Sequence, residues 1–434
     1  MTVLGYIDSG KSTLVGHLRY KLDCVTAEEI NGAVDYQRIF RYALLCDKNP
    51  CSRMRRVTLF NSYNIITSGT RRITLIDTPG HKDYVHNLIT GLSQGDVALL
   101  VVSAASGEFE ASISKWYPYG DVVSHIKLAR ALGVELVIAI NKMDQAEVNY
   151  RQARFEECKQ KVLRIAKKYS YKENIPVVPI SAEDGENLVI ASEKMAWYTG
   201  PSLWEVLLDF PAPPRPVEQS LRVSLHKIIK VGGVGHVGLG KVLSGTLRNG
   251  QSVLLSPHEI TTEVLSIQIL GEEVQEAVAG DLVGVRLANV PPAKKRGSAR
   301  GIVISDINDV CLPVESFIAR ILILESVRCL NEGYSPTVDC HTAQFRVVLE
   351  DILRKIDPKK GIVLEEKSSV FHVKLTKRDI GEVKMRLLSP VCLESNSKGL
   401  GRIIIRDNLR IRAVGTVIST VHQQKEGKFT KAAR

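Results

Sequence analysis

The stretch Gly5-Tyr6-Ile7-Asp8-Ser9-Gly10-Lys11-Ser12 decides how the first half of this 434-residue chain is read. A glycine, four residues, a glycine, a lysine and a hydroxyl residue form a loop whose backbone N–H groups cradle phosphates while the lysine reaches the outer ones. Such a pattern arises by chance in a chain of this length roughly once in a hundred cases. Three further segments follow in order: Asp77-Thr78-Pro79-Gly80, Asn141-Lys142-Met143-Asp144 and Ser181-Ala182. Each of the four comes directly after an apolar run, at 3–4, 73–76, 136–140 and 176–180, and 99–102 reads as one more buried strand. Between these runs, 124–132 and 150–168 repeat apolar residues at helical spacing. Alternating strand and helix predict an α/β domain with a parallel sheet, and ligands of such sheets bind at the carboxyl ends of the strands, where all four segments fall. Together they predict a guanine-nucleotide switch.

The whole chain is larger than one such domain. With 434 residues and 44% hydrophobic content it is expected to hold two to four domains. No apolar run approaches the ~18 residues of a membrane span. Asp8 and Lys11 interrupt the N-terminus before a signal-peptide core could form, so export and membrane attachment are not expected. The eight cysteines, at 24, 46, 51, 158, 311, 329, 340 and 392, show no paired metal spacing and read as reduced thiols of a cytoplasmic protein. The net charge is +11, and from Lys398 onward nine basic residues stand against Asp407 and Glu426. Such an excess favours a polyanion partner, and for a nucleotide switch that partner is expected to be RNA.

Past Phe210 the texture changes. Pro211-Ala212-Pro213-Pro214-Arg215-Pro216 cannot continue a helix and marks a domain boundary. Short alternating runs follow, Leu221/Val223/Leu225 and Leu265/Ile267/Ile269, with Asn249-Gly250 as a hairpin turn between strands. A second boundary falls at 305–313, and new strands are expected at 317–324, 370–375, 383–387, 402–405 and 413–418. The fold is therefore expected to be multidomain: a P-loop GTPase domain of parallel-sheet α/β type over 1–210, two all-β barrels over 217–305 and 313–422, and a basic tail over 423–434.

One α/β nucleotide domain followed by two barrels is the plan of translational GTPases that carry aminoacyl-tRNA. The chain resembles the elongation factor 1-alpha family in Gly107-Glu108-Phe109-Glu110-Ala111-Ser112-Ile113-Ser114-Lys115, in 227–235, and in Ile260-Thr261-Thr262-Glu263-Val264. Gly333-Tyr334-Ser335-Pro336, Asp339-Cys340-His341-Thr342-Ala343 and Gly427-Lys428-Phe429-Thr430-Lys431 match too. Termination and ribosome-rescue relatives share the plan, but Ile113 to Lys115 and Asp339 to Ala343 look more like the elongation branch. The resemblance implies GTP/GDP and Mg²⁺ as cofactors, with aminoacyl-tRNA, the ribosome, a guanine-nucleotide exchange factor and actin as partners of a monomer. It implies delivery of aminoacyl-tRNA to the ribosomal A site, with GTP hydrolysis on decoding. The alternatives are a GTP-binding paralogue that carries RNA or binds the cytoskeleton, with weak ribosome-stimulated hydrolysis, or a termination or ribosome-rescue GTPase.

The roles that the resemblance implies are these, residue by residue. Asp8, Ser9, Gly10, Lys11, Ser12 and Thr13 line the phosphates; Lys11 neutralises β- and γ-phosphate charge and Ser12 ligates Mg²⁺. Thr58 matches the switch threonine that completes the Mg²⁺ shell, Asp77 holds the ion through a water, and Gly80 offers its N–H to the γ-phosphate. Asp144 accepts from the guanine N1–H and exocyclic amine, whereas adenine presents the wrong edge. Asn141 and Lys142 brace the base, and Ser181-Ala182 supplies a backbone N–H to its O6. His81 stands where the family has the histidine that positions the attacking water, with Ile7 and Val57 at the two apolar gate positions.

Departures from the family pattern are also visible. Arg53-Met54-Arg55-Arg56-Val57-Thr58 has arginine where the family has glycine, so a backbone needing positive φ at position 56 becomes costly. The segment 22–46 is shorter than the family's, 116–121 differs from the usual link to His125, and Tyr6 replaces a histidine. Only four residues precede Gly5, so a shortened first strand is expected. Leu282 stands where the family has an asparagine near the aminoacyl end of tRNA.

Overall fold

The apolar run before Gly5 becomes the middle of a sheet. β1 (Thr2–Gly5) is wholly buried and pairs in parallel with β3 (Arg71–Asp77) on one side and β4 (Val97–Ser103) on the other. β5 (Glu135–Asn141) and β6 (Val177–Pro179) continue the parallel set, and the order is β2-β3-β1-β4-β5-β6. β2 (Ser62–Ser68) departs from the parallel expectation: it runs antiparallel to β3 as an edge strand, through a tight turn that leaves no length for a crossover helix. β4 is buried at all seven positions because helices cover both faces.

The computed structural model describes residues 1–26, 28–29, 41–46, 52, 58–69, 71–114, 122–171, 174–269, 271–290, 298–324, 330–357, 360–368, 373–395, 397–408 and 410–422. They divide into two units, Met1–Pro213 and Pro214–Arg434. Among the described residues, the helices of the first unit include α1 (Lys11–Lys21), α2 (Arg41–Cys46), α3 (Val85–Gln94), α4 (Glu108–Ile113), α5 (Val122–Ala131), α6 (Gln152–Lys168) and α7 (Leu203–Asp209). α6 buries Phe155, Cys158, Val162 and Ala166, an amphipathic stripe of helical period. α7 starts at a capping box in which the Glu205 carboxylate accepts the Ser202 N–H at 2.7 Å. Register brings the strand ends level: Gly5 lies opposite Val101, Val3 opposite Asp77 and Ser103 opposite Asn141.

The second unit holds two closed β-barrels. The first is built from β7 (Arg222–Val231), β8 (Gly235–Ser244), β10 (Ser252–Ser256), β11 (Ile260–Ile269), β14 (Leu282–Leu287) and β15 (Ser298–Asp306), closed by the β10–β11 pairing. Short strands β9 (Thr246–Arg248) and β13 (Glu276–Val278) pair beside it, and β12 (Glu272–Val274) extends β11. Asn249-Gly250 does turn the chain, but not as a hairpin: β9 pairs with β13 while β10 joins the barrel. Leu221, Val223 and Leu225 all face the core as their alternation requires. Leu265 does not; a bulge between Val264 and Ser266 shifts the register, so Val264 and Ile267 are buried while Leu265 is 43% exposed.

The second barrel comprises β16 (Pro313–Ile323), β17 (Thr337–Cys340), β18 (Ala343–Ile356), β20 (Ile380–Cys392), β21 (Arg402–Asp407) and β22 (Arg410–His422), closed by β17–β18, with β19 (Val363–Glu366) flanking β18. Of the strand expected at 370–375, residues 370–372 lie outside the described set, and Val373 to Leu375 are not in a strand. The long β18 alternates buried with outward residues and supplies Phe345, Val347 and Leu349 to the core. Buried polar groups tie the barrels together. Arg222 pairs with both Glu394 and Asp309, and the Ser224 hydroxyl lies 2.9 Å from the Thr342 hydroxyl and 2.8 Å from His341 Nδ1.

Inside the second barrel Arg406 and Asp339 form a bidentate ion pair, with Nη2 to Oδ1 at 3.0 Å and side chains only 4% and 0% exposed. Arg406→Leu leaves the carboxylate buried without its cation and is expected to cost about 3–5 kcal/mol. Urea unfolding followed by circular dichroism measures this, and a midpoint unchanged from wild type would assign the pair no structural weight.

Candidate nucleotide site

The loop after β1 wraps back on itself before α1 begins. Gly10 takes φ 88°, a left-handed conformation, and a Cβ there would fall 2.3 Å from Asn141 Nδ2. Glycine is therefore required twice over, by backbone and by space. α1 then starts with no side-chain cap and no acidic residue in its first turn, so the N–H groups of Lys11, Ser12 and Thr13 carry the positive end of the helix dipole. Lys11 is buried, and its Nζ donates to the carbonyls of Gly5 at 3.1 Å and Tyr6 at 2.8 Å. The second motif stands against it: a Cβ on Gly80 would lie 2.4 Å from that ammonium. An uncapped helix end, a buried ammonium and two close glycines make a cradle fitted to a phosphate chain.

Beside the cradle three oxygens converge. Ser12 Oγ donates to Asp77 Oδ2 at 2.6 Å and lies 3.1 Å from Thr58 Oγ1. Asp77 is fully buried at the end of β3, and the neighbouring Thr78 hydroxyl donates to Val3 O at 2.6 Å, locking this segment to β1. The three residues expected to surround a metal ion thus meet, although 46 and 65 positions separate Thr58 and Asp77 from Ser12.

The third and fourth motifs form the other wall. Asn141 Nδ2 donates to Ser9 O and Asn141 Oδ1 accepts the Ala182 N–H, both at 2.8 Å. The Ala182 N–H is thus turned to Asn141. Asp144 accepts from Ser181 Oγ at 2.6 Å and from Gln145 Nε2 at 3.0 Å, which fixes the orientation of its carboxylate. Lys142, at φ 64°, sends its Nζ to both oxygens of Glu108, at 2.9 and 2.8 Å.

His81 follows Gly80 with its ring turned to its own turn of chain. Nδ1 accepts the Asp83 N–H at 3.2 Å, Asp83 Oδ2 is 3.5 Å away, and the Tyr84 ring lies at 5.9 Å. Ile7 is half-buried in the phosphate loop. Val57, the altered segment 53–56, the link 116–121 and the basic tail 423–434 lie outside the described residues.

Comparison with known proteins agrees with this geometry. Residues 1–213 match the elongation factor Tu GTP binding domain, 235–304 match elongation factor Tu domain 2, and 316–418 match the GTP-eEF1A C-terminal domain-like family. The chain is 38% identical to elongation factor 1-alpha of Thermofilum pendens, covering 96% of both chains, and 36% identical to elongation factor 1-alpha 1 of Euplotes crassus, covering 99% and 98%. It belongs to the elongation factor 1-alpha family. Its first 213 residues are accordingly a GTP-binding domain, and the protein is a GTPase of translation. The fold is also that of the S. cerevisiae Ski7 GTPase-like domain bound to GTP, at TM-score 0.77 and 16% identity over 96% of each chain. The elongation factor SelB of Methanococcus maripaludis shares it at TM-score 0.69 and 20% identity, over 97% of this chain and 79% of that one.

Three residues of this elongation factor 1-alpha relative carry parts of the site that motif reading does not reach. Glu108 holds Lys142. His17, on α1, lies 2.7 Å through Nδ1 from Ala182 O and stacks on Tyr42 of α2 at 3.9 Å. His125, on α5, is fully buried near Lys11, and burial assisted by that ammonium pushes its pKa down to about 3, so the ring is neutral throughout the working range.

Burial also pulls Lys11 down to about 8, against the opposing pull of Asp77 and Asp8. Phosphate charge favours the ammonium and raises this pKa, so GDP binding takes up a proton wherever the free lysine is partly neutral. GDP affinity is then flat below pH 8 and falls above it, by up to about tenfold per pH unit. Titration calorimetry at pH 9 in buffers of different ionisation enthalpy reads the uptake. Lys11→Arg, always charged, is expected to abolish it; equal uptake in that variant would assign the proton to another group.

Proposed function

We propose that this GTPase binds aminoacyl-tRNA in its GTP form, delivers it to the ribosomal A site, and hydrolyses GTP on decoding, acting as a cytoplasmic monomer reloaded by an exchange factor. What carries the reading is the convergence of Ser12, Thr58 and Asp77 beside Lys11, in a chain similar to elongation factor 1-alpha over nearly its full length. Two hydroxyls and one carboxylate are a hard, all-oxygen donor set, which fits Mg²⁺ better than a softer metal. When bound there, Mg²⁺ supplies charge to the β- and γ-phosphates. Lys11 and the first N–H groups of α1 hold the phosphates. Thr58 and Gly80 report the γ-phosphate to the two segments that carry them, and losing that contact releases both. Asp144, oriented by Ser181 and Gln145, reads the two guanine donors, while Asn141 holds the phosphate loop against the 181–182 turn.

His81 supplies positioning rather than covalent chemistry. Nδ1 is engaged by the Asp83 N–H, which leaves Nε2 to orient a water toward the γ-phosphate. Single-turnover GTP hydrolysis with ribosomes tests the reading. Wild type should be strongly stimulated, and His81→Ala should lose about a hundredfold to ten-thousandfold of that rate with its nucleotide affinity kept. A wild type that ribosomes do not stimulate would favour the paralogue that carries RNA or binds the cytoskeleton, which the arginine at position 56 of the first switch also suits.

Cargo binding has its own test. Leu282 is half-buried on β14 opposite Lys241 and offers no hydrogen bond where the family has an amide. Protection of the aminoacyl ester should depend on GTP and weaken steeply with salt, because several phosphate contacts release counterions together. Preference over uncharged tRNA should be reduced, and Leu282→Asn should restore about 0.5–1.5 kcal/mol of it. Equal protection with GTP and GDP would separate cargo from the switch and end the delivery reading.

A further inference from the structure

Lys142 and Asp144 stand two positions apart, and a flexible ammonium so close to a carboxylate ordinarily pairs with it. Here it does not, because the lysine is taken up elsewhere. Lys142 donates to both Glu108 oxygens, at 2.9 and 2.8 Å, across 34 positions of chain, and Glu108 Oε2 also accepts from Ser103 Oγ at 2.7 Å. The Lys142 backbone contributes to the same end, since its φ of 64° is uncommon for a residue with a side chain and sets the direction in which the side chain leaves the strand.

The acceptor is held firmly. Ser103 is the last residue of β4, level with Asn141, and Ala104 N–H donates to Asn141 O at 2.8 Å, which ties the two strand ends together. α4, which carries Glu108, is fixed by its neighbours. Glu110 accepts the Gly107 N–H at 2.7 Å and pairs with Arg154 at 3.0 Å, and Arg154 Nε donates to Ala104 O at 2.8 Å. The Arg154 guanidinium also lies over the Phe109 ring, 5.3 Å from its centre. The Glu108 side chain is 43% exposed, yet its carboxylate is held on both sides, by Lys142 and by the Ser103 hydroxyl.

We propose that Glu108 is a positioning residue for guanine recognition: by binding Lys142 it keeps that ammonium off Asp144 and leaves the Asp144 carboxylate to the base. This rests on the reading of Asp144 as the base-selecting residue. Asp144 already accepts one neutral donor on each oxygen, from Ser181 and Gln145, and these orient it without cancelling its charge. Were Lys142 to turn to it, the ammonium would compete with the guanine N1–H and exocyclic amine for the same lone pairs, and charge-assisted pairing would win over neutral donors. Glu108 therefore sets nucleotide selectivity without touching the nucleotide.

The test compares Glu108→Gln, Lys142→Met and the double variant in the full chain, reading the release rates of GDP and of inosine diphosphate, which lacks the exocyclic amine. Glu108→Gln keeps shape and removes charge; it is expected to release GDP about tenfold faster and to narrow the preference for GDP over inosine diphosphate. Glu108→Asp, which keeps the charge, should lie between that variant and wild type, and thermal melts should be unchanged in both. In the Lys142→Met background the competing ammonium is gone, so adding Glu108→Gln should change neither release rate. Losses that add in the double variant would show that Glu108 acts through the folding of α4 and overturn the proposal, as would a Glu108→Gln variant that releases both nucleotides like wild type. A wild type that releases GDP and ADP alike would instead overturn the assignment of Asp144.

Discussion

The side-chain amide of Asn141 holds the nucleotide domain's working end together. One carboxamide spans the Ser9 carbonyl and the Ala182 N–H, so the loop after β1 and the turn after β6 are set at a fixed separation by a group at the end of β5. The span is short enough that Gly10 has no room for a side chain. The direction of α1, the height of Lys11 and the distance from the loop after β1 to Asp144 are set around this span. A buried amide that satisfies one donor and one acceptor is costly to replace, because any substitute leaves both partners unpaired in a water-poor place. The first and fourth motifs therefore form one site although they are far apart in sequence.

The positions of the four motifs were legible because a parallel sheet exposes only its strand ends, and each motif directly follows an apolar run that had to be a strand. Other features were hidden for identifiable reasons. β2 reverses direction at the sheet edge, and nothing in the alternation of 62–68 distinguishes an antiparallel from a parallel neighbour. Leu265 has the composition of a core residue, yet a bulge one residue wide sends it outward. Asn249-Gly250 makes its turn, but the pairing of the flanking strands is decided by distant partners. The pair Glu108–Lys142 could not be read at all, since a charged residue on a short helix looks like an ordinary solvated face until the fold brings a lysine to it. Local chemistry marks where a site is, whereas the ion pairs beside it depend on tertiary placement.

Burial and charge act against each other throughout the first unit, and in each case the structure resolves the conflict differently. Lys11 stays buried by donating to two carbonyls and by the pull of Asp77 and Asp8, at the cost of a lowered pKa. His125 resolves it by remaining neutral. Lys142 resolves it with a carboxylate on a neighbouring helix. A site that has to receive a highly charged ligand thus holds one cation weakly acidic, one ring uncharged and one ammonium already neutralised. Lys11 and the N-terminal end of α1 are left as the positive groups facing the cradle.

The two barrels of the second unit are joined by polar groups that cannot be separated without stranding them. Arg222 fans between Glu394 and Asp309, and Ser224, Thr342 and His341 form a second buried tie beside it. Sliding one barrel over the other would take the Arg222 guanidinium and the Ser224, Thr342 and His341 side chains away from these partners, so the two barrels resist moving separately.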